Sequence, residues 1–430
     1  MSARIMTLEF RRGTGALLAA VVAVGGILLS LITWANPDST GPWSASGPGI
    51  LSGLMTAGIL LGPLVAAAGA WVGSRERRLR VDELLTVVSR PRWQRDLTAV
   101  AALVVAVTAG LIPVLAVIAA PVFPALSYGG GRWPLLGLLA LLEFLTCLSI
   151  GFAAGRLLPY RWTAPIVALV VYVAAVVPVY TKSSIGQLVP MTLPGGDGQR
   201  LRLTVGVQAA VWFLACIVAL LTLAGARRRA WALLPAVLAV AMAVPLSTLP
   251  YRFNGNSYTA AWTEPDPVAL TLVCTDDAPK VCVQRVHEAL LPAVTQVVRP
   301  VLAELPAGSF VAEEFIVDPD AGRPPYVPGR ATIPFLEGRT ASFSADLRDR
   351  EWLRTQMVEY LFTAWCTAQT PSMERAWNIG TTIVPGTGPA TDPIATRLAA
   401  DTQARRAWIA AYLDAARDCD RPAFDELVRQ

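Results

Sequence analysis

Histidine is nearly missing from this chain. His287 is the single one in 430 residues, so neither His-Glu-x-x-His nor His-x-His can occur, and a zinc site built on histidines is excluded. A Ser-His-Asp triad would have to recruit His287, which reads as an ordinary histidine beside Glu288. The Cys-x2-Cys spacing of a cysteine zinc site is missing too. No Gly-x4-Gly-Lys-Ser/Thr run occurs, so the chain has no P-loop of its own. No cofactor is expected. Charge is also scarce: 16% of residues are charged, against roughly 25% in soluble domains.

What fills the space is apolar. Hydrophobic residues make up 54% of the chain, and the mean hydropathy is +0.50. About 20 consecutive apolar residues span a bilayer. Seven stretches qualify: Thr14–Ala35, Gly49–Val72, Leu97–Ala120, Pro134–Ala154, Ala164–Tyr180, Gly206–Ala226 and Trp231–Leu249. The first lacks a well-placed cleavage site and is read as a retained span. The last two are separated by only Arg227-Arg228-Arg229-Ala230, a tight hairpin.

Sidedness follows from the arginines. Arg4, Arg11 and Arg12 precede span one. Residues 73–96 join spans two and three, Arg156 and Arg161 join four and five, and Arg227–Arg229 join six and seven. Alternation places these segments on one side. The connections on the other side hold few basic residues. The N-terminus is therefore expected in the cytoplasm of a plasma-membrane protein, and an odd span count puts the C-terminal half outside. Met1–Leu249 has nineteen basic and eight acidic residues; Pro250–Gln430 has seventeen and twenty-three. The arginines sit beside apolar spans rather than on a folded basic patch, so the expected surroundings are a lipid bilayer and no nucleic acid.

The expected architecture is a polytopic α-helical membrane domain, residues 1–249, followed by an extracytoplasmic α+β or mainly α domain, residues 250–430. In the latter, Val281–Leu305 is periodic and reads as a helix interrupted near Pro292 and Pro300. Phe310–Val317 and Ala331–Phe335 read as strands, and Leu347–Thr367 and Ile394–Asp418 as amphipathic helices. Cys147 and Cys216 lie in apolar runs and read as small core residues. Cys274 and Cys282 bound an Asp-Asp-Ala-Pro turn, within disulfide reach. Cys366 and Cys419 each end a helical pattern and could pair across a hairpin. An oxidising compartment favours such bonds. Glu313 and Glu314, adjacent on a strand, point to opposite faces and make a poor acid/base pair.

The most concentrated polar stretch of the membrane half is residues 73–96, GSRERRLRVDELLTVVSRPRWQRD. Val81, Leu84, Leu85 and Val88 share one helical face, while Arg77, Arg78, Arg80, Asp82 and Glu83 supply the polar remainder. Ser89-Arg90-Pro91 ends the pattern, and Arg92-Trp93 leads to an interfacial tryptophan. The plainest reading is a topogenic loop with its apolar face in the headgroups. The segment RRLRVDELLTVVSRPRWQRD also resembles the loop after span two in permease subunits of ABC exporters of the ABC-2 type, particularly actinobacterial ones. The N-terminal RIMTLEFRRGTGAL is similar to their pre-span segment. The resemblance covers roughly the first 225 residues. It implies a separate ATP-hydrolysing subunit seated on this loop at Arg80, Asp82, Glu83, Leu84, Leu85, Arg90 and Arg92, and a homo- or heterodimer. A seventh span and a folded C-terminal domain depart from the family's usual six-span core. Related permease-like proteins carry an outer V-C-V stretch similar to Val281-Cys282-Val283.

Inside the membrane, Glu143 in LLALLEFLTCLSIGFAAG is a functional candidate because a carboxylate at that depth is costly. Its bland alternatives are a structural partner for Arg132 or for a polar group of another span, or a neutral, hydrogen-bonded carboxyl. Gly151 and Gly155, and Gly58 and Gly62, form small-xxx-small faces suited to close helix packing. Two further function classes remain open: a membrane-anchored scaffold or sensor whose outer domain binds a cell-envelope partner, and a membrane-embedded enzyme using Glu143 or an outer carboxylate.

Overall fold

The computed structural model describes residues 14–35, 47–79, 92–123, 126–130, 132–181, 184–188, 198–226, 228–249, 251–254, 257–260, 262–277, 280–304, 314–318, 330–334, 354–355, 357–359, 362, 370–384 and 391–429. They form two compact units. One runs to Asp266 apart from Pro124–Tyr128; the other takes Pro124–Tyr128 and Pro267–Gln430.

The first unit is a bundle of long apolar helices: α1 (Gly15–Ala35), α2 (Gly47–Gly73), α3 (Arg92–Val122), α4 (Trp133–Leu157), α5 (Thr163–Tyr180), α6 (Leu203–Gly225) and α7 (Leu233–Ser247). Among the described residues, five helical segments are long and apolar enough to cross a membrane, and two shorter apolar ones lie at Ala57–Gly73 and Thr163–Pro178. The chain is a helical membrane protein. Many large aliphatic side chains stay exposed on the bundle, such as Leu169, Val170, Leu234 and Val237. Hydrocarbon is the solvent that makes such a surface stable. Pro63 and Pro178 lie within their helices without ending them.

Helix α4 is the centre of the bundle and packs on α2, α3, α5 and α6. Its contact with α2 is backbone against backbone. A Cβ on Gly151 would fall 1.8 Å from the Ala66 carbonyl oxygen, and one on Gly155 would fall 2.1 Å from that of Ala70. In return, Gly69 and Gly73 of α2 lie against the Leu148 and Phe152 carbonyls. The α4 glycines are those expected from the spacing. On α2, the glycines that meet α4 are Gly69 and Gly73, about three turns beyond Gly58 and Gly62. Close approach of this kind is how apolar helices gain dispersion contacts in lipid, where no hydrophobic effect separates protein from solvent.

Two strands close one end of the bundle. β1 (Gln199–Leu201) enters α6 and pairs antiparallel with β4 (Thr263–Pro265), which follows α7. The Arg202 amide extends the ladder to the carbonyl of fully buried Trp262. A hairpin of β2 (Tyr251–Asn254) and β3 (Ser257–Ala260) lies between α7 and β4.

The second unit carries a four-stranded sheet in the order β5 (Leu272–Cys274), β6 (Lys280–Gln284), β7 (Glu314–Asp318) and β8 (Arg330–Pro334). The first pair is antiparallel and the other two are parallel. Parallel neighbours need a crossover, and α8 (Leu291–Glu304) lies in it. The helix expected over Val281–Leu305 is therefore corrected at its start. Val281, Cys282 and Val283 are a strand, followed by a 3-10 turn at Arg285–Leu290. All three are fully buried. An inner strand covered on both faces reads as a continuous apolar run, which periodicity cannot tell from a buried helix. The Ser127 hydroxyl donates to the Val286 carbonyl, which places that short segment with this unit.

The remaining helices are α9 (Pro371–Ile383), α10 (Pro393–Ala400), α11 (Thr402–Asp418) and α12 (Arg421–Leu427). The single helix expected over Ile394–Asp418 is two. Asp401 breaks it by accepting hydrogen bonds from the Gln403 and Ala404 amides, an N-cap for α11. Their core is aromatic: Phe362, Trp408, Tyr412 and Phe424 have ring centroids 5.1–6.5 Å apart. The Tyr412 hydroxyl donates to the Phe362 carbonyl, and burial pushes its phenol above the usual range.

Candidate functional site

Of the residues expected to contact an ATPase, Arg80, Asp82, Glu83, Leu84, Leu85 and Arg90 lie outside the described residues. Arg92 opens α3. What is described is how the two ends of that connector are held.

At its near end, α2 runs into one turn of helix, Arg75–Arg78. The Arg78 guanidinium lies 3.7 Å from the centre of the Trp71 ring and donates to the Trp71 carbonyl at 2.9 Å. Stacking on an aromatic face suits a weakly hydrated guanidinium. At its far end, Trp93 is exposed in the first turn of α3.

Both ends meet Arg156, in the last turn of α4. Its guanidinium is 2.7 Å from Glu76 on the near side and 2.6 Å from Asp96 on the far side. Arg95 lies 3.8 Å from Glu76. The side chains of Arg156 and Asp96 are each only 12% exposed, so the cluster is shielded from water and counter-ions. Two acids and two bases balance. Removing Arg156 would leave the Glu76 and Asp96 carboxylates with reduced hydration and without their shared cation, the costly case for buried ion pairs. The end of α6 also abuts the group: a Cβ on Gly225 would sit 3.3 Å from Asp96 Oδ2. The cluster is thus a mechanical joint among α2, α3 and α4. Arg156 was legible only as a topogenic charge. The missed signal is that Glu76 and Asp96, acids just inside each end of a basic loop, need a cation from elsewhere.

The opposite end of the bundle carries a second clamp. Arg132 caps α4 in a left-handed conformation (φ 67°), unusual for a side chain with a Cβ. Its Nη1 donates to the Leu201 carbonyl at 2.7 Å and to Glu264 at 3.2 Å. Arg200 joins the same carboxylate at 2.9 Å. So Arg132 is committed to the strand pair, and the alternative that it partners Glu143 does not hold: the two stand eleven residues apart along α4, about 16 Å at 1.5 Å per residue.

Glu143 itself is 5% exposed, and its Oε1 has no hydrogen-bond partner among the described residues. Cys147 follows one turn on and is a free, buried thiol; Cys216 is also free. Cys274 and Cys282 are joined in a disulfide across the β5–β6 pair. Cys419 is disulfide-bonded as well, while Cys366 lies outside the described residues. His287 is buried in the 3-10 turn. Glu314 lies on β7, and Glu313 is outside the described residues. No group of three or more His, Cys, Asp or Glu side chains fit to hold a metal occurs among the described residues.

With this geometry in hand, comparison with family models, with curated proteins and with solved structures finds no match to the chain.

Proposed function

We propose that this protein is the membrane-spanning permease subunit of an ABC-type exporter, driven by a separate ATPase that seats on the connector of residues 73–96. The observation that carries the reading is the Arg156 joint. A connector merely signalling topology has no need of buried ion pairs at both ends. One that receives force does, because the pairs pass displacement to α4, and α4 lies backbone-to-backbone on α2.

Seven crossings are proposed, with the connector in the cytoplasm. The strand pair supports that count. β1, Arg132 and β4 meet at one end of the bundle, so the connection after α5, the start of α4 and the chain leaving α7 share a side. The Glu76, Asp96 and Arg156 joint lies at the other. The disulfides of Cys274, Cys282 and Cys419 fit an oxidising compartment for the C-terminal unit, whose role in this reading is to gate or to bind substrate or a partner. The assembly is a dimer of such subunits.

The test is affinity purification of the full chain in mild detergent. A nucleotide-hydrolysing protein is expected in the complex and is expected to be lost with Glu83→Arg. Recovery of the chain without any ATPase would overturn the exporter reading and favour a membrane-anchored scaffold.

A further inference from the structure

The carboxyl of Glu143 is the one Asp, Glu, Lys or Arg side chain inside any of the seven apolar stretches. It sits near the middle of α4, the helix that packs on most of the others. It is enclosed, and one oxygen has no donor among the described residues.

The elements packed on α4 offer no counter-charge at that depth. α2 has no ionisable residue. The charged residues of α3 are Arg92, Arg95 and Asp96, all in its first turns. α5 contributes Tyr172 and Tyr180, α6 Cys216, and β1 Arg200. On α4 itself, Cys147 is the neighbour one turn away. Arg156 lies thirteen residues on, about 20 Å along the helix, held by Glu76 and Asp96. Arg132 lies about 16 Å the other way, held by Glu264 and Leu201. A carboxylate here would be enclosed, with no counter-charge on the helices packed around it and no donor to Oε1 among the described residues, an arrangement that a charged group tolerates poorly. A neutral carboxyl fits it.

We propose that Glu143 is a proton-exchange site: its carboxyl carries a proton while α4 is packed on its neighbours, and gives it to water when they part. The step breaks the carboxyl O–H bond, leaves the carboxylate and passes the proton to solvent; repacking reverses it. A movement of α4 that admits water to Glu143, including one delivered through Arg156, is then linked to one proton. The inference rests on the surroundings of Glu143 and does not require the exporter reading.

The test is thermal unfolding of the full chain in lipid nanodiscs across neutral and alkaline pH, wild type against Glu143→Gln. The amide mimics the neutral acid, so its stability should lack this proton's contribution. Relative to it, the wild type is expected to lose up to about tenfold in folding equilibrium per pH unit, from the ordinary glutamate range up to the pH at which the packed carboxyl itself ionises. Parallel pH profiles would overturn the proposal. A measurement on wild type alone guards against a variant that does not fold. At a pH where exposed acids are ionised, its infrared spectrum should retain a protonated-carboxyl C=O band; a spectrum without one overturns the proposal equally.

Discussion

Arg156 and Asp96 stand 60 residues apart in the chain and 2.6 Å apart in space. Because Glu76 takes the other side of the same guanidinium, one cation closes the connector between α2 and α3 into a loop whose two feet rest on α4. Nothing in the local sequence of any of the three helices requires this.

Arg156→Leu should therefore destabilise the bundle by about 3 kcal/mol, the order expected when a shielded ion pair loses one partner. Asp96→Asn should cost less, since Glu76 still faces Arg156. The melting temperature in detergent checks both. The exchange Asp96→Arg with Arg156→Asp should recover part of the loss.

Glycine at 151 is needed for close approach alone. A Cβ there would overlap the Ala66 carbonyl, so Gly151→Val must push α2 away from α4, costing about 1–3 kcal/mol or more. On the same helix, a Cβ at Gly137 would meet only Leu51 side-chain atoms, at 3.9 Å. Gly137→Ala is expected to be neutral or stabilising by up to about 1 kcal/mol. Melting temperatures of the pair decide whether α2–α4 packing is as tight as described.

Sidedness is open to direct labelling. Asp276 and Arg77 are both exposed. A membrane-impermeant maleimide should reach Asp276→Cys in intact cells and Arg77→Cys only after permeabilisation. The reverse pattern would invert the proposed topology. The intact protein should also gain mass on reduction, and Cys282→Ser should cost about 2.5 kcal/mol through the lost short-loop constraint.

Asp392 should shape the acid limb of stability. Burial raises its carboxyl, but the Arg375 hydrogen bond at 3.0 Å, the Ile394 amide at 2.8 Å and the arginine's charge outweigh it, and the net shift is downward. A group depressed in the folded state stabilises above its unfolded value and loses that contribution as pH falls through the folded one. Wild type should thus weaken as pH drops below about 4, and Asp392→Ala should flatten that limb while costing about 1 kcal/mol at neutral pH through the lost cap of α10. Acid titration of thermal stability reads both effects.

The helical unit was largely visible beforehand because an apolar run of membrane length has few other solutions. The α4 glycines, the exposed Trp93 and the Cys274–Cys282 bond were visible for equally local reasons: spacing, position and a turn. The second unit was less legible. Val281–Val283 was mistaken for helix because burial on both faces erases the alternation that marks a strand. Asp401 was passed over as an ordinary helical residue because a cap differs from a surface acid only in its backbone. The helix α9 was passed over although Met373, Ala376, Ile379 and Ile383 fall at helical spacing behind an N-capping Thr370.

The amino-acid sequence by itself determined that most of the first 249 residues need hydrocarbon around them, which connections carry the basic charge, and that His-based zinc and P-loop chemistry are excluded. Only the tertiary structure decided which helices touch, that Arg156 serves the connector, that Arg132 serves the strand pair, and that Glu143 is left with neither. The reason is physical. Solvent preference is a property of each segment and is written along the chain, whereas the partner of a charge depends on which distant helix end arrives within about 4 Å, the reach of an ion pair.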